Sequence, residues 1–314
     1  MRSLLLCLVL LLTASGPAVA QVHLLIVSGL GGEPRYVNDF HAWGISMADA
    51  ATERMGIPAA NVTYLAEDPQ RDSQRIDGES RRDEVERALA EIRARLGEDE
   101  RLMILLIGHG SSDARGARIN LPGPDLTAEE LGALLEPFEG HPVVVVNTAS
   151  ASGDFHEPLS AENRTIVTAT RSGMERNETI FGGFFVAAFA EDGGDIDKDG
   201  RVTIAEAFEY ASTETERHYE NANQLQLEHA RMEGDMELAQ LFHLGGGVAA
   251  DIPADAPPEV RALYEARREL EDRIASLRVR SAQMEEAEYQ MELERLLLEL
   301  ARTNRAIQES QEGA

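Results

Sequence analysis

Short, continuous apolar segments separated by helical patterns constrain the fold of this chain more than any other feature of the sequence. The segments Leu102 to Ile107 and Pro142 to Val146 are apolar throughout, and related patterns lie at Val22 to Val27 and Arg164 to Ala169. Strands without polar alternation are buried on both faces, which is typical of a parallel sheet with helices on either side. Residues 21–250 are therefore predicted to form an α/β domain with a mostly parallel sheet flanked by helices.

The first twenty residues have the features of a secretory signal. Leu4 to Leu12 form an apolar run too short to cross a bilayer, and Ala18-Val19-Ala20 is a small-residue cleavage motif. We expect cleavage after Ala20 and a periplasmic or secreted protein; the alternative is an uncleaved anchor. Cys7 is the single cysteine and lies inside this segment. The mature chain is therefore expected to have no disulfide bond and no membrane span.

Acidic residues outnumber basic residues by a wide margin. The chain has 56 Asp and Glu residues against 29 Lys and Arg residues, which gives a formal net charge of -27. Nucleic acids and anionic lipids bind to basic surfaces, so neither is expected as a partner. Cations are the ligands that this charge favours.

Two of the apolar strands are followed by residues that are capable of chemistry. The first continues into Gly108-His109-Gly110, and the second continues through Asn147 into Thr148-Ala149-Ser150-Ala151-Ser152-Gly153. In open parallel sheets, ligands bind beyond the carboxyl ends of the strands. His109 and Ser150 are therefore predicted to lie at one edge of the sheet, as a candidate dyad.

These motifs, in this order, resemble the caspase-like peptidases, and the legumain branch most closely. In that family one strand ends in His-Gly and a later strand ends in Ala-Cys-x-Ser-Gly, so Ser150 stands at the place of the catalytic cysteine. The glycine loop and helix that begin at Gly29 also resemble the N-terminal unit of the family, and the resemblance spans roughly residues 22–210. It implies a caspase-like fold in an exported member of bacterial type, with His109 at the position of the base.

The exchange of cysteine for serine changes the chemistry that this site supports. A thiol ionises near pKa ~8.5 and lower beside an imidazole, whereas a serine hydroxyl needs a closely bonded base and a third group that orients the base. The resemblance implies a looser dyad, which a thiolate tolerates better than a hydroxyl. The main interpretation is a pseudo-peptidase that acts as a binding or scaffold protein. Its peptide or protein ligand would occupy the strand-end cleft, with backbone amides near Gly110 and Ser150 as an oxyanion-like pocket.

Two alternatives stay open at this stage. The chain could be a serine-type hydrolase or peptidase that uses Ser150 or Ser152 with His109, or it could have an unrelated function in which these residues only end strands. The absence of a Gly-x-Ser-x-Gly motif around Ser150 counts against a hydrolase of the usual α/β type. Whether the chain is an enzyme is left undecided by the sequence.

Twelve residues fit the calcium-binding loop of an EF-hand. The ligand positions one, three, five, seven, nine and twelve are Asp195, Asp197, Asp199, Arg201 (through its backbone carbonyl), Thr203 and Glu206. Gly200 stands at position six, where the loop turns sharply. We expect a structural Ca²⁺ in this loop, which external calcium would fill even at weak affinity. The alternative is an acid-rich turn that caps the following helix.

The chain after the first domain divides into a proline-rich linker, residues 251–258, and a helical region, residues 259–310. Apolar positions of the helical region recur every three or four residues in two sets, which are out of phase across Glu285 to Glu288. A helical hairpin that turns there explains this shift, and so does a coiled coil with a local irregularity. The apolar stripe needs a cover, which could be the main domain, a protein partner or a second copy of the chain.

Overall fold

The structure, a computed structural model, describes residues 21–98, 100–245, 256–279 and 284–312. The expected signal segment, residues 1–20, and residues 251–255 of the expected linker lie outside the described residues. Within the described ranges, no helix has both the length and the apolar composition that a membrane crossing requires.

The centre of the main domain is a seven-stranded sheet. In spatial order its strands are Arg231–Gly234 (β10), Arg164–Thr168 (β9), Val143–Asn147 (β8), Arg101–Ile107 (β4), Val22–Ser28 (β1), Val62–Ala66 (β2) and Gly78–Glu79 (β3). Neighbouring strands are parallel, except that β10 runs antiparallel to β9. The prediction of a mostly parallel sheet is confirmed.

Helices cover both faces of this sheet. They span Pro34–Asp49 (α1), Arg82–Arg95 (α2), Ala128–Leu135 (α3), His156–Leu159 (α4), Phe181–Ala190 (α5), Ile204–Asn221 (α6) and Met236–Leu241 (α7). One core contains side chains of α1, α5 and α6, and the other contains side chains of α2 and α3. The flanking helices predicted from the sequence are therefore present.

The central strands explain why the sequence lacks polar alternation. Successive side chains of a strand point to opposite faces, so Ile26 and Leu105 lie in one core while Leu25 and Ile104 lie in the other. All four are fully buried. Burial of each such side chain stabilises the folded state by roughly 1.5–3 kcal/mol. The central strands are therefore stable, and they fix the positions of the loops at the carboxyl ends of β1, β4 and β8.

A second, smaller sheet begins directly after His109. Its antiparallel strands are Gly110–Asp113 (β5), Gly116–Ile119 (β6) and Leu126–Thr127 (β7). The sequence analysis did not predict this sheet. Its strands are short and partly polar, so they lack the apolar runs that mark the central strands.

The C-terminal region is a helical hairpin formed by Pro258–Val279 (α8) and Glu286–Glu312 (α9). Leu270, Ile274 and Leu277 of α8 form a buried cluster with Leu296 of α9. Two apolar sets that are out of phase along the chain thus meet face to face, which decides between the hairpin and the coiled coil. Within the described residues, these contacts give the apolar stripe an intramolecular partner, and a further partner or a second copy stays a prediction.

Candidate functional site

The topology brings His109 and Ser150 to the same edge of the sheet. β4 and β8 are adjacent and parallel, with Leu106 paired to Asn147. The chain leaves β4 at Ile107 and β8 at Asn147, so the segments that carry His109 and Ser150 emerge side by side. Their placement follows from the register of two apolar strands rather than from any local motif.

Two aromatic side chains of α1 hold the His109 ring. The ring centroid lies 4.8 Å from that of Tyr36 and 5.1 Å from that of Phe40, both in edge-on geometry. Burial, reinforced by the nearby carboxylate of Glu178, raises the pKa of Tyr36. The imidazole is therefore positioned by ring packing against α1.

The hydroxyl of Ser150 is bonded to the backbone of Gly110. The amide of Gly110 donates to Ser150 Oγ at 3.1 Å, and Ser150 Oγ in turn donates to the carbonyl oxygen of Gly110 at 3.2 Å. Among the hydrogen bonds of the described residues, none joins Ser150 to His109. The Ser150 hydroxyl thus donates its proton to the carbonyl oxygen of Gly110. The Gly110 amide, which was expected in an oxyanion-like pocket, already donates to the Ser150 hydroxyl.

The turn that carries Ser150 is fixed from several sides. The amide of Ala151, a residue in the left-handed region with φ 54°, donates to the carbonyl of Glu175 at 2.8 Å. The hydroxyl of Thr179 donates to the carbonyl of Thr148 at 2.6 Å. Ser150 itself is only 4% exposed. A positive φ at a residue other than glycine is costly and persists only where the surroundings enforce it, so the direction of the Ser150 side chain is well defined.

Ser152, the second candidate nucleophile, lies inside the protein. It is fully buried, and its hydroxyl is 3.2 Å from the Thr170 hydroxyl and 3.2 Å from the Thr170 amide. This environment stabilises the junction between β8 and β9. It offers a substrate no access to the hydroxyl.

Close backbone packing explains why glycine follows His109. A Cβ atom on Gly110 would lie 2.5 Å from the carbonyl oxygen of Ser150 and 2.9 Å from that of Arg118. Both distances are far below van der Waals contact, and backbone atoms cannot move aside as a flexible side chain can. Any other residue at this position would push β5 away from the Ser150 turn.

Two residues near the site, Asp154 and Glu175, were missed by sequence reasoning. Asp154 accepts hydrogen bonds from the Ser112 hydroxyl at 2.6 Å and the Gly173 amide at 2.9 Å. Glu175 contacts the His229 ring at 2.8 Å and the Arg171 side chain at 3.0 Å. No spacing in the sequence marks these residues, because most of their partners lie far away along the chain. A pairing signal would come only from an alignment of related chains.

The predicted calcium ligands converge between α5 and α6. Ligand oxygens of Asp195, Asp197 and Asp199 lie within 4.8 Å of one another. Gly200 has φ +88°, which provides the sharp turn expected at position six. Burial and the adjacent Asp197 raise the pKa of Asp199 to about 6. The loop therefore crowds three carboxyl groups into a small volume.

The remaining predicted ligands close the loop. Glu206 Oε1 accepts the amides of Ile196 at 3.1 Å and Asp197 at 3.2 Å, so its carboxylate reaches back across the loop. Thr203 and Glu206 form a capping box at the start of α6. To bind Ca²⁺ with both oxygens, Glu206 would exchange these amides for the ion. The backbone carbonyl of Arg201 belongs to the same loop, and its side chain points to α8, where its Nη2 atom lies 3.0 Å from Glu271 Oε2.

Comparisons with known proteins give a limited result. No family model matches the chain, and no curated protein matches it. Among solved structures, protein GSU0716 from Geobacter sulfurreducens matches with a TM-score of 0.44 and 15% identity, over 70% of this chain and 96% of that one. Caspase-1 from Spodoptera frugiperda matches with a TM-score of 0.44 and 9% identity, over 68% of this chain and 88% of that one.

Proposed function

We propose that the protein is an exported, caspase-like pseudo-peptidase that works by binding a peptide or protein ligand at the strand-end surface. The observation that carries this proposal is the pair of hydrogen bonds between Ser150 Oγ and the Gly110 backbone. A nucleophilic serine needs its proton directed at a base, and here the proton is directed at a carbonyl oxygen.

The cost of changing this arrangement supports the absence of catalysis. To reach His109, the Ser150 hydroxyl would break two hydrogen bonds and leave the amide and the carbonyl of Gly110 without their partner. Each such loss costs on the order of 1–3 kcal/mol in a buried setting. Edge-on aromatic contacts position the His109 ring but supply no carboxylate that would orient it and stabilise its charged form.

Exposed apolar side chains beside the site favour a binding role. Met174 is 78% exposed and immediately precedes Glu175, whose carbonyl accepts the Ala151 amide. Leu225 is 84% exposed, in the segment that leads to His229 and its contact with Glu175. Met174 and Leu225 would offer apolar contacts to a peptide or protein bound at this surface.

Labelling experiments can test this proposal directly. The natural protein should not react with a fluorophosphonate probe and should not cleave peptides, with or without calcium. Because the mature chain contains no other cysteine, Ser150→Cys provides a single thiol for a peptide-based electrophile. Its rate should fall when His109→Gln is added, whereas the control Ser111→Cys should label at a rate that is independent of His109.

Either of two results would contradict the proposal. Turnover of a peptide by the natural protein that is abolished in Ser150→Ala would overturn the proposal and establish the serine hydrolase alternative. Labelling of the natural protein by the fluorophosphonate at Ser150 would have the same meaning, since a hydroxyl held by Gly110 is not nucleophilic.

Calcium is the second part of the proposed function, in a structural role. The spacing from Asp195 to Glu206, the convergence of three carboxylates and the turn at Gly200 support a weak Ca²⁺ site of about 10⁻⁴–10⁻³ M, as in extracellular modules. At 10 mM calcium such a site would stabilise the fold by about 1.4–2.7 kcal/mol through mass action. We expect the melting temperature to rise by several degrees.

A matched pair of variants tests the calcium site. Glu206→Gln removes the carboxylate at position twelve, and Glu209→Gln removes an equal charge from an exposed position of the same helix. Calcium should raise the melting temperature of the natural protein and of Glu209→Gln but much less that of Glu206→Gln. Identical melts in calcium and in chelator would show that the loop is only an acid-rich helix cap.

A further inference from the structure

We infer that Arg201 couples calcium binding in the 195–206 loop to the docking of the C-terminal hairpin on the main domain; this inference rests on the proposed calcium site. Arg201 takes part both in the 195–206 loop and in the contact with the hairpin. Its backbone carbonyl is the seventh position of the loop, and its side chain reaches Glu271 in the middle of α8.

The ion pair between Arg201 and Glu271 is well shielded from solvent. The side chain of Arg201 is 6% exposed and that of Glu271 is 22% exposed, with 3.0 Å between Nη2 and Oε2. Arg267 lies one helical turn before Glu271, 3.6 Å from its other oxygen. A shielded ion pair is screened less by water and salt than a pair at the surface, so this contact contributes to the attachment of α8.

The backbone of Arg201 is tied to the carboxylates of the loop. Its amide donates to Asp199 Oδ1 at 2.8 Å, and the amide of Asp199 in turn donates to Asp195 Oδ1 and to Asp197 Oδ1, both at 3.1 Å. A cation that draws these oxygens and the Arg201 carbonyl inward would fix the backbone torsions of Arg201. Those torsions set the direction in which the guanidinium leaves the loop.

A second set of contacts connects the loop to the segment that follows α7. The amide of Ile204 donates to the carbonyl of Phe242 at 2.9 Å, and Thr203 pairs with His243 in an antiparallel bridge. Phe242 directly follows α7, and α7 packs against α8. The end of the loop and α8 of the hairpin thus contact the same segment, which consists of α7 and the two residues that follow it.

The hairpin has a core of its own. Its buried clusters contain only residues of α8, α9 and the turn between them, while the two cores of the main domain contain no residue of either helix in the described ranges. Among the described residues, the hairpin meets the main domain through the Arg201–Glu271 pair and through the packing of α8 on α7. An arm attached in this way can change its position without loss of its internal structure.

Thermodynamic linkage makes the coupling measurable from both sides. If calcium favours the docked hairpin by some factor, then docking favours calcium by the same factor. Weakening the ion pair should therefore lower calcium affinity, although Glu271 is not a ligand. A coupling in the usual range would lower the affinity about fivefold or more.

The experiment uses the full mature chain and two measurements. Isothermal titration gives the calcium affinity of the natural protein, of Glu271→Gln and of the control Glu269→Gln, which removes the same charge from an exposed position of α8. Spin labels at Glu216→Cys and Ala301→Cys, two exposed positions on α6 and α9, report the distance between hairpin and main domain by pulsed electron resonance.

We expect calcium to narrow the distance distribution in the natural protein and in Glu269→Gln, and to do so much less in Glu271→Gln, whose calcium affinity should be about fivefold lower. Equal affinities in all three proteins, with distances that ignore calcium, would overturn the coupling and leave the calcium site standing. If calcium does not bind the natural protein at all, the proposed site fails and the coupling fails with it.

Discussion

The carboxylate of Glu228 accepts the amide of Phe181, a residue 47 positions earlier, at 3.1 Å. The same carboxylate accepts the amide of Ile180 at 2.9 Å and the hydroxyl of Tyr219 at 3.1 Å, and Glu228 is only 1% exposed. A buried side chain thus caps the N-terminus of α5 from a distant segment. Because Thr179 joins the same terminus to the Ser150 turn, Glu228 also supports the site.

The first prediction follows from the two states of Glu228. Burial raises the pKa of Glu228 above that of the unfolded chain, so the folded state binds the proton more tightly and the carboxylate costs stability as pH rises through the folded pKa. Glu228→Gln keeps an acceptor without the charge. Its stability relative to the natural protein should increase from acidic to neutral pH, as measured by urea unfolding.

Glu228→Leu is the matching loss variant. It leaves the amides of Ile180 and Phe181 buried without an acceptor, which should cost on the order of 2–4 kcal/mol at all pH values. A leucine variant as stable as the glutamine variant would show that these hydrogen bonds contribute nothing.

A second prediction concerns His156, which burial keeps neutral. Burial lowers the pKa of His156 to about 4, and its Nε2 atom is 3.0 Å from the Thr168 hydroxyl. Between the ordinary histidine pKa of ~6.5 and about 4, the unfolded chain binds a proton that the folded chain does not, so stability falls as pH falls through this window. The loss should reach at most about 3 kcal/mol.

Chemical unfolding of the natural protein and of His156→Gln tests this value. The difference between the two free energies of unfolding should change between pH 7 and pH 4 and stay constant above pH 7. His218→Gln, at an exposed position, is the control and should follow the natural protein. A slope that is unchanged in His156→Gln would contradict the assignment.

Ser150 should act as a structural residue in stability measurements. In Ser150→Ala the Gly110 amide loses its acceptor, so the free energy of unfolding should fall by about 1–2 kcal/mol. Hydrogen exchange at the Gly110 amide should become faster in this variant, while Ser111→Ala leaves it unchanged. Exchange that stays slow in Ser150→Ala would mean that another group protects the amide.

The hairpin should be separable from the main domain. Leu296→Asp places a charge in the cluster with Leu270, Ile274 and Leu277, so the hairpin should unfold at several degrees lower temperature. Truncation after residue 255 should leave the main domain folded, because its cores contain no residue of α8 or α9. A main domain that no longer unfolds cooperatively after truncation would contradict this.

The apolar pattern predicted the sheet because each continuous apolar run reflects the burial of a strand on both of its faces. Leu102 to Ile107 and the valines of β8 face two cores at once, and a strand of a parallel sheet that is covered on both faces favours such runs. The strand ends then locate His109 and Ser150 at one edge. The small sheet from β5 to β7 and the antiparallel β10 escaped prediction because their strands are short and partly polar and lack continuous apolar runs.

The bonding of the candidate site could not be predicted in the same way. The Ser150 hydroxyl bonds to a residue 40 positions away, and the Arg201 guanidinium bonds to a residue 70 positions away. The local sequence around each side chain would be equally compatible with a different hydrogen-bond partner. Their choice depends on how whole elements pack, so only the folded chain reveals it.

The close approach between Gly110 and the Ser150 turn has a consequence for how such chains are recognised. The carbonyl oxygens of Ser150 and Arg118 leave no room for a Cβ atom at Gly110, and this steric constraint is the same whether or not a reaction takes place next to it. A chain that had exchanged its nucleophile would keep the glycine for steric reasons alone. A His-Gly pair at the end of a central strand therefore reports how closely two backbone segments pack, and by itself it does not identify a peptidase.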